Sequence, residues 1–428
     1  MTVLDRSRLT FGQLSLWRSI EHFTPEQLPG VNLRQVWPLP DGVTAADVRG
    51  ALEALEERHE ALRTRYRLGP GDDLEQLVWA PEPVVLDELE GGPDSAAFAT
   101  EASGQLGDQL FDLAVDKPWR ARLITSAGRP ACVVVSVHHI TADGWSMLQL
   151  GTEFQDLVAG KDLGGPAPTC RALAEKQHSA AWADRRAAAV EYWRRVVAEA
   201  PDPPDELAAD ARTRWATLRS ASSLRDAQLL AGQVRIPLPS VVFAAYAAAL
   251  TERTGRDAHL VGLFAGNRLD AETRSLVTSM TQMAPIVARR VDGEELPASA
   301  RRLHWESLRS LRHGTFDVDE VGAAIREYGK SGVGGGFRYF YKFRDMAQAA
   351  IPAVTAGVAE NDWDVETSSS ERNNQSPFYL RAHAGDELML SLQETSSAQD
   401  FEPMRGFVLA MAQRLRDAAT ATEPASGR

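Results

Sequence analysis

SVHHITADGWSM, residues 136–147, decides the reading of this chain. It grows out of ACVVVSV (131–137), a nearly continuous apolar and β-branched run of the kind found in a strand buried on both faces. The run ends abruptly in HHITADG. From Gly144 onward WSMLQLGTEFQDLVAG returns to helical period, with Trp145, Leu148, Phe154, Leu157 and Val158 as the expected buried face. A buried strand, a polar turn and a helix form the corner at which α/β-type folds commonly open a cleft.

The residue types in that corner suit proton chemistry. A histidine with an ordinary pKa near ~6.5 can take a proton at neutral pH. An aspartate four residues on can orient it or hold the loop in shape, and Gly144 permits a positive φ and a close approach of backbone to substrate. A plainer reading is that two adjacent histidines end a strand, one buried and one exposed, because neighbouring strand residues point to opposite faces. HHxxxD also supplies His and carboxylate ligands, but no second His, Cys or carboxylate cluster completes a metal site. There is no Gly-x-Ser-x-Gly elbow, and neither Cys132 nor Cys170 has an adjacent histidine, so a covalent acyl-enzyme has no support. Direct transfer by a base-assisted nucleophile remains, and it needs one histidine, exclusion of water and donors for the developing oxyanion.

The rest of the chain sets the frame. Its 428 residues exceed what one hydrophobic core usually supports, so two lobes are expected, 1–175 and 176–428, parted by the Gly- and Pro-dense stretch KDLGGPAPT (161–169). With 44% hydrophobic and 25% charged residues the composition is that of an ordinary globular protein. A net charge of -13 disfavours a nucleic-acid partner. The two cysteines, without x2 spacing, make neither a metal site nor a disulfide framework. The N-terminus lacks a signal-peptide pattern and no apolar run approaches ~18 residues, which predicts a cytoplasmic chain that spans no membrane.

Strands are expected at Val31–Pro38, Leu77–Ala80, Ala121–Ser126, Ala216–Ser220, His259–Phe264 and Glu387–Gln393. A capping box at Thr44–Asp47 opens a helix through about Leu62, with Val48, Leu52, Leu55 and Leu62 on one face. Further helices are expected over about 95–111, 180–200, 239–254 (stopped by Gly255) and 404–418. The glycine run 332–336 lacks a following Lys-Ser/Thr and precedes a strand, so it reads as a turn and not a phosphate loop, and the tail 421–428 is expected to be disordered.

With its DGWS continuation, HHITADGWS resembles the HHxxxDG motif of the condensation domains of nonribosomal peptide synthetases, members of the chloramphenicol-acetyltransferase-like superfamily. LTFGQLSLW (Leu9–Trp17) is similar to the family's opening S-x-A-Q-x-x-L-W motif, with Gly12 in place of the usual Ala. RHEALRTRY (Arg58–Tyr66) is a near copy of R-H-E-x-L-R-T. LPSVVFAAYAAALTERTGRDAHLVGLFAGNR, ending at Arg268, resembles the family's helix, Gly-turn, strand and G-R segment. MTQMAPIV (280–287) departs from F-V-N-T-L-P-L-R, keeping Pro285 but placing Gln282 for Asn and Val287 for Arg. The later motifs, around His304–Phe316 and Ser369–Phe378, are scarcely recognisable.

The resemblance implies a mixed fold, part α+β and part α/β, of two chloramphenicol-acetyltransferase-like lobes in a V-shaped pseudo-dimer with the active site at their junction. It implies that His139 is the catalytic histidine, that His138 supports the loop, that Asp143 is structural and ion-paired to Arg58 or Arg63, and that the Gly144 backbone contacts the oxyanion. Trp145, Arg268 and Gln282 would line the substrate tunnel. No cofactor is expected to be bound. Substrates would arrive on the phosphopantetheine of acyl or peptidyl carrier proteins, or as CoA esters, and the chain would act as a monomer. The implied activity joins an acyl or aminoacyl donor to an amine or hydroxyl. The alternatives are a CoA-dependent acyltransferase of the same superfamily and a noncatalytic recruitment domain. Epimerising and heterocyclising relatives are excluded by the missing E-G-H-x-R-E-type motif and by His138 in place of Asp.

Overall fold

The computed structural model describes residues 2–69, 74–92, 95–202, 212–328, 337–345, 362–370 and 377–421. The glycine run 332–336 and the tail beyond residue 421 lie outside them. The chain divides into two compact units, and the division is discontinuous in sequence: Met1–Ala187 with Gly266–Gln282 and Thr315–Val318 form the first, and the rest forms the second. The sequence points to a single cut at 175/176; the contacts instead return two short stretches to the first unit.

In chain order the first unit opens with β1 (Val3–Arg8), α1 (Phe11–Ile20), β2 (Asn32–Pro38), α2 (Ala45–Arg58), β3 (Thr64–Leu68), β4 (Leu74–Trp79) and β5 (Asp87–Glu90). It continues with α3 (Ser95–Gly107), β6 (Trp119–Ser126), β7 (Arg129–His138), α4 (Gly144–Val158) and α5 (Cys170–His178). One sheet has the antiparallel order β1-β4-β3. The other runs β2-β7-β6-β5, antiparallel except for the parallel pair β5–β6.

Strand β7 is covered on both sides, as its composition predicts. Val133, Val135 and Val137 pack with Val48, Leu52 and Leu55 of α2 and Met147, Leu150 and Phe154 of α4. Cys132 and Val134, on the opposite face of the pleat, pack with Ala99, Ala102 and Leu106 of α3. Each fully buried aliphatic side chain contributes about 1.5–3 kcal/mol, so this two-sided burial holds the end of β7, and with it the HHITADG turn, in a rigid frame.

The Thr44 capping box forms, with the hydroxyl accepting from the Asp47 N–H at 3.2 Å and the Asp47 carboxylate accepting from the Thr44 N–H at 2.9 Å. The helix stops at Arg58, earlier than expected, because His59 leaves helical dihedrals (φ -108, ψ 101) and sends its ring to Glu153. Leu62 is still buried, on a short 3-10 turn.

Helix α6 (Ala183–Glu199) carries the division between the units. The second unit then contains β8 (Arg212–Ser220), α7 (Ala221–Val234), α8 (Leu238–Thr254) and β9 (Ala258–Ala265); α9 (Ala271–Ser275) belongs to the first unit. After it come β10 (Gln282–Arg289), α10 (Leu296–Leu311), α11 (Val318–Ile325), β11 (Tyr339–Asp345), β12 (Asp364–Ser370), β13 (Phe378–Ala384), β14 (Leu388–Ser396) and α12 (Glu402–Ala421). Its sheet has the order β10-β9-β11-β13-β14-β8-β12, with β11 parallel to both β9 and β13.

Helix α8 is buried over Val241–Tyr246 and ends where Gly255 takes φ 66, a left-handed C-cap that suits glycine. Among the described residues no single helix is long and apolar enough to cross a membrane; the apolar pair α7 and α8, bent by 108° at its junction, packs into the core.

Candidate active site

His138 closes β7. Its backbone N–H donates to the Pro118 carbonyl (2.8 Å), and its side chain is 6% exposed, with the Phe111 ring edge-on at 6.1 Å. The Ile140 N–H donates to its Nδ1 at 3.2 Å, so that nitrogen is unprotonated. Burial, and then the charge of neighbouring His139, pushes the His138 pKa down to about 3. His138 is therefore a neutral imidazole that braces the turn. The Thr141 N–H to the His138 carbonyl (2.9 Å) tightens it further.

His139 is the first residue beyond the strand, its N–H held by the Val31 carbonyl (3.1 Å) and its side chain half-buried.

Asp143 is the N-cap of α4: its Oδ1 accepts from the Ser146 N–H at 2.9 Å. The same oxygen accepts from Arg268 Nη2 at 2.9 Å, and Oδ2 accepts from the Met280 N–H (3.2 Å) and the Thr281 hydroxyl (3.3 Å). Burial alone would raise this carboxyl's pKa; the Arg268 charge and the backbone donors outweigh it and hold the group below its ordinary value.

Arg268 also donates to the carbonyls of Thr273 (2.7 Å), Leu276 (2.6 Å) and Thr278 (3.0 Å) and to the Ser146 hydroxyl (2.8 Å). Ser146, fully buried, donates in turn to the Thr278 carbonyl at 2.9 Å. Trp145 reaches the Arg274 carbonyl at 2.9 Å, and Gln149 the Ser275 carbonyl at 2.9 Å. The stretch 266–282 is thus pinned to the turn and to the first two turns of α4.

Several expectations are corrected. Neither Arg58 nor Arg63 is the partner of Asp143. Arg58 bonds Glu153 (3.2 Å) and the Gly165 carbonyl, and Arg63 bonds the Glu56 and Trp79 carbonyls. Arg268, expected to line a substrate path, is a buried strut, its side chain 6% exposed and committed to five acceptors. Gln282 is buried as well and exchanges hydrogen bonds with the Phe316 backbone (2.8 and 3.4 Å). Gly144 is the first residue of α4 and not among the glycines with positive φ. Helix α4 buries Phe154 and packs Leu157 and Val158 against the core as expected, but in its first turns Ser146, Met147 and Leu150 are the buried residues, whereas Trp145 and Leu148 are 40% and 49% exposed. The Asp143 cap fixes where the helix starts, and so its phase, and the polar anchor of Ser146 takes the place expected for Trp145.

Sequence reasoning gave no role to Ser146, although it stands in the DGWS continuation, and missed Thr278 and the 266–282 backbone, which nothing in their residue types marks. Gln13, present in the LTFGQLSLW match, is buried beneath and donates to the Tyr66 hydroxyl (3.2 Å). Both thiols are buried, and burial pushes the Cys170 pKa up to about 12, which removes it as a nucleophile at neutral pH. Among the described residues no cluster of three or more His, Cys, Asp or Glu could hold a metal ion.

The family model of the condensation domain matches residues 29–413. The chain belongs to the condensation-domain family. As a condensation domain it is similar to the AMB antimetabolite synthetase AmbB of Pseudomonas aeruginosa, 28% identical over 331 residues, covering 74% of this chain and 26% of that protein. The beauvericin nonribosomal cyclodepsipeptide synthetase of Beauveria bassiana is 28% identical over 252 residues, 54% of this chain and 8% of its own length. The chain therefore spans about a quarter of the first relative and far less of the second. Solved structures share the fold. The condensation domain described for chain release from the enacyloxin polyketide synthase has a TM-score of 0.79 at 18% identity, covering 100% of this chain and 85% of that one. The first condensation domain of the calcium-dependent antibiotic synthetase, in complex with a substrate analogue, has a TM-score of 0.75 at 17% identity, with 98% of both chains covered. The mixed α/β architecture expected for this family is the one found.

Proposed function

We propose that this condensation domain joins a carrier-bound acyl or aminoacyl donor to an amine or hydroxyl acceptor by direct attack on the donor thioester, with His139 as the base or the group that positions the nucleophile. The observation that carries the reading is the division of labour inside HHITADG. His138 is buried and neutral and Asp143 is buried and ion-paired, while His139 alone presents a half-buried imidazole. In the proposed step the acceptor N–H or O–H gives its proton to His139 as its lone pair adds to the thioester carbonyl. The C–S bond then breaks and the departing thiolate takes a proton back, so the balance needs no metal, oxidant or second nucleophile.

The carrier as source of the substrates is inferred from the synthetases to which the chain is similar. The test is mass spectrometry of intact carriers after one acyl-loaded and one aminoacyl-loaded partner are mixed with the protein. Donor mass should move to the acceptor carrier, and His139→Ala should lower the rate at least about a hundredfold while the fold persists. Undiminished turnover by that variant overturns the assignment. Transfer from acyl-CoA alone would favour a CoA-dependent acyltransferase, and absence of any transfer a recruitment domain.

A further inference from the structure

The seven-stranded sheet of the second unit buries one face against its helices through Tyr341, Leu380, Ala382, Leu390 and Leu392. The residues that alternate with these point the other way. On neighbouring strands β11 and β13, Lys342 pairs in register with Arg381, and Arg344 with His383. Residues two apart on a strand share a face, so these four side chains form a two-by-two array, with in-register neighbours about 4.8 Å apart between strands. The row through His383 continues across Met389 to Arg219.

Like charges directly opposite on paired strands are destabilising, yet this array sits in a chain of net charge -13. Arg219 is accounted for by Glu387 at 3.1 Å. Among the described residues no carboxylate pairs with Arg344 or Arg381. The acids on this face are Asp364 and Glu366 on β12, three strands from β13, and Glu387 just before β14, which Arg219 takes up. Arg381 is held over the ring of Tyr379 (4.3 Å), a contact that orients the cation without neutralising it, and Lys342 stands over the ring of Phe264 (5.3 Å). Burial and the surrounding Arg344, Lys342, Arg381 and Arg219 keep His383 below its usual pKa, in keeping with the register that gathers these residues on one face.

We propose that this face of β11 and β13 binds an oxyanion, a phosphate or a carboxylate, gripped by Arg344 and Arg381 with Lys342 and His383 beside them. Guanidinium forks match the paired oxygens of both groups. The anion could be the phosphate of a pantetheine arm or the carboxylate of an acidic substrate. That use in acyl transfer rests on the function proposed above, whereas anion binding does not.

The test is isothermal titration of the full chain at low salt with 4′-phosphopantetheine, pantetheine and glutarate. At least one anionic probe should bind; if it is phosphopantetheine, pantetheine should bind at least about tenfold more weakly; and Arg344→Gln or Arg381→Gln should each weaken the bound anion about tenfold. Binding of phosphopantetheine alone assigns the phosphate, and binding of glutarate the carboxylate. The site is overturned if neither anion binds or if both variants bind as tightly as the wild type. Arg344 is exposed, so Arg344→Gln decides the matter should Arg381→Gln fail to fold. His139→Ala should leave the titration unchanged. Lost binding with intact turnover therefore overturns only this site, and intact binding without turnover only the proposed function.

Discussion

Asp143 and Arg268, 125 positions apart, form a 2.9 Å ion pair in which the side chains are 3% and 6% exposed. Removing one partner of a buried pair strands the other charge, which costs about 3–5 kcal/mol. Asp143→Ala and Arg268→Ala should each lower unfolding stability by about that much in urea titration. Arg268→Lys should recover little, because an ammonium has three donors for the five acceptors that Arg268 serves.

A double-mutant cycle separates the observed partner from the expected ones. Asp143→Ala with Arg268→Ala should show a coupling of about 1–3 kcal/mol in the same titration. Asp143→Ala with Arg63→Ala should be additive within about 0.5 kcal/mol, since Arg63 is spent on the Glu56 and Trp79 carbonyls. Equal coupling in both cycles would contradict the assigned pairing.

His138 gives the fold a pH dependence. Its folded pKa, about 3, lies below the ordinary 6.5, so between those values the unfolded chain binds the extra proton. Its contribution is complete above pH 6.5 and is lost as pH falls toward 3, at up to about 1.4 kcal/mol per pH unit. Melting temperature followed from pH 7 to pH 4 should fall less steeply for His138→Asn than for the wild type. Asp143 acts lower: its depressed pKa adds stability that is present above the unfolded value and lost as pH falls through the folded one.

Gly12 lies so near the returning stretch that a Cβ there would overlap the Ser279 carbonyl and stand 2.9 Å from the Met280 Cα. Gly12→Ala, which restores the residue usual in the family, should therefore destabilise this chain by about 1–3 kcal/mol, measurable as a lower urea midpoint. Unchanged or increased stability would show that the 279–280 backbone can move aside.

The local grammar of the chain was legible in its residues. The run 131–137 reads as a strand covered on two faces and is one; Thr44 and Asp47 make their capping box; Gly255 stops α8 in a left-handed turn. These features depend on contacts within a few residues and on hydrophobic period, which sequence carries directly. The HHITADG turn could be placed for the same reason, at the end of the one strand whose composition left no doubt about its burial.

What the turn does was decided by tertiary structure. Sequence could say that adjacent histidines face opposite ways; only packing against Phe111 and the Ile140 N–H made His138 the neutral one and left His139 half-buried. Sequence could say that Asp143 wants a cation. Arg58, Arg63 and Arg268 are chemically equal candidates, and the choice fell to Arg268 because 266–282 returns to the first unit and lays its carbonyls around that one guanidinium. An ion pair between residues 125 apart is a property of the folded path of the chain, and no periodicity or spacing encodes it.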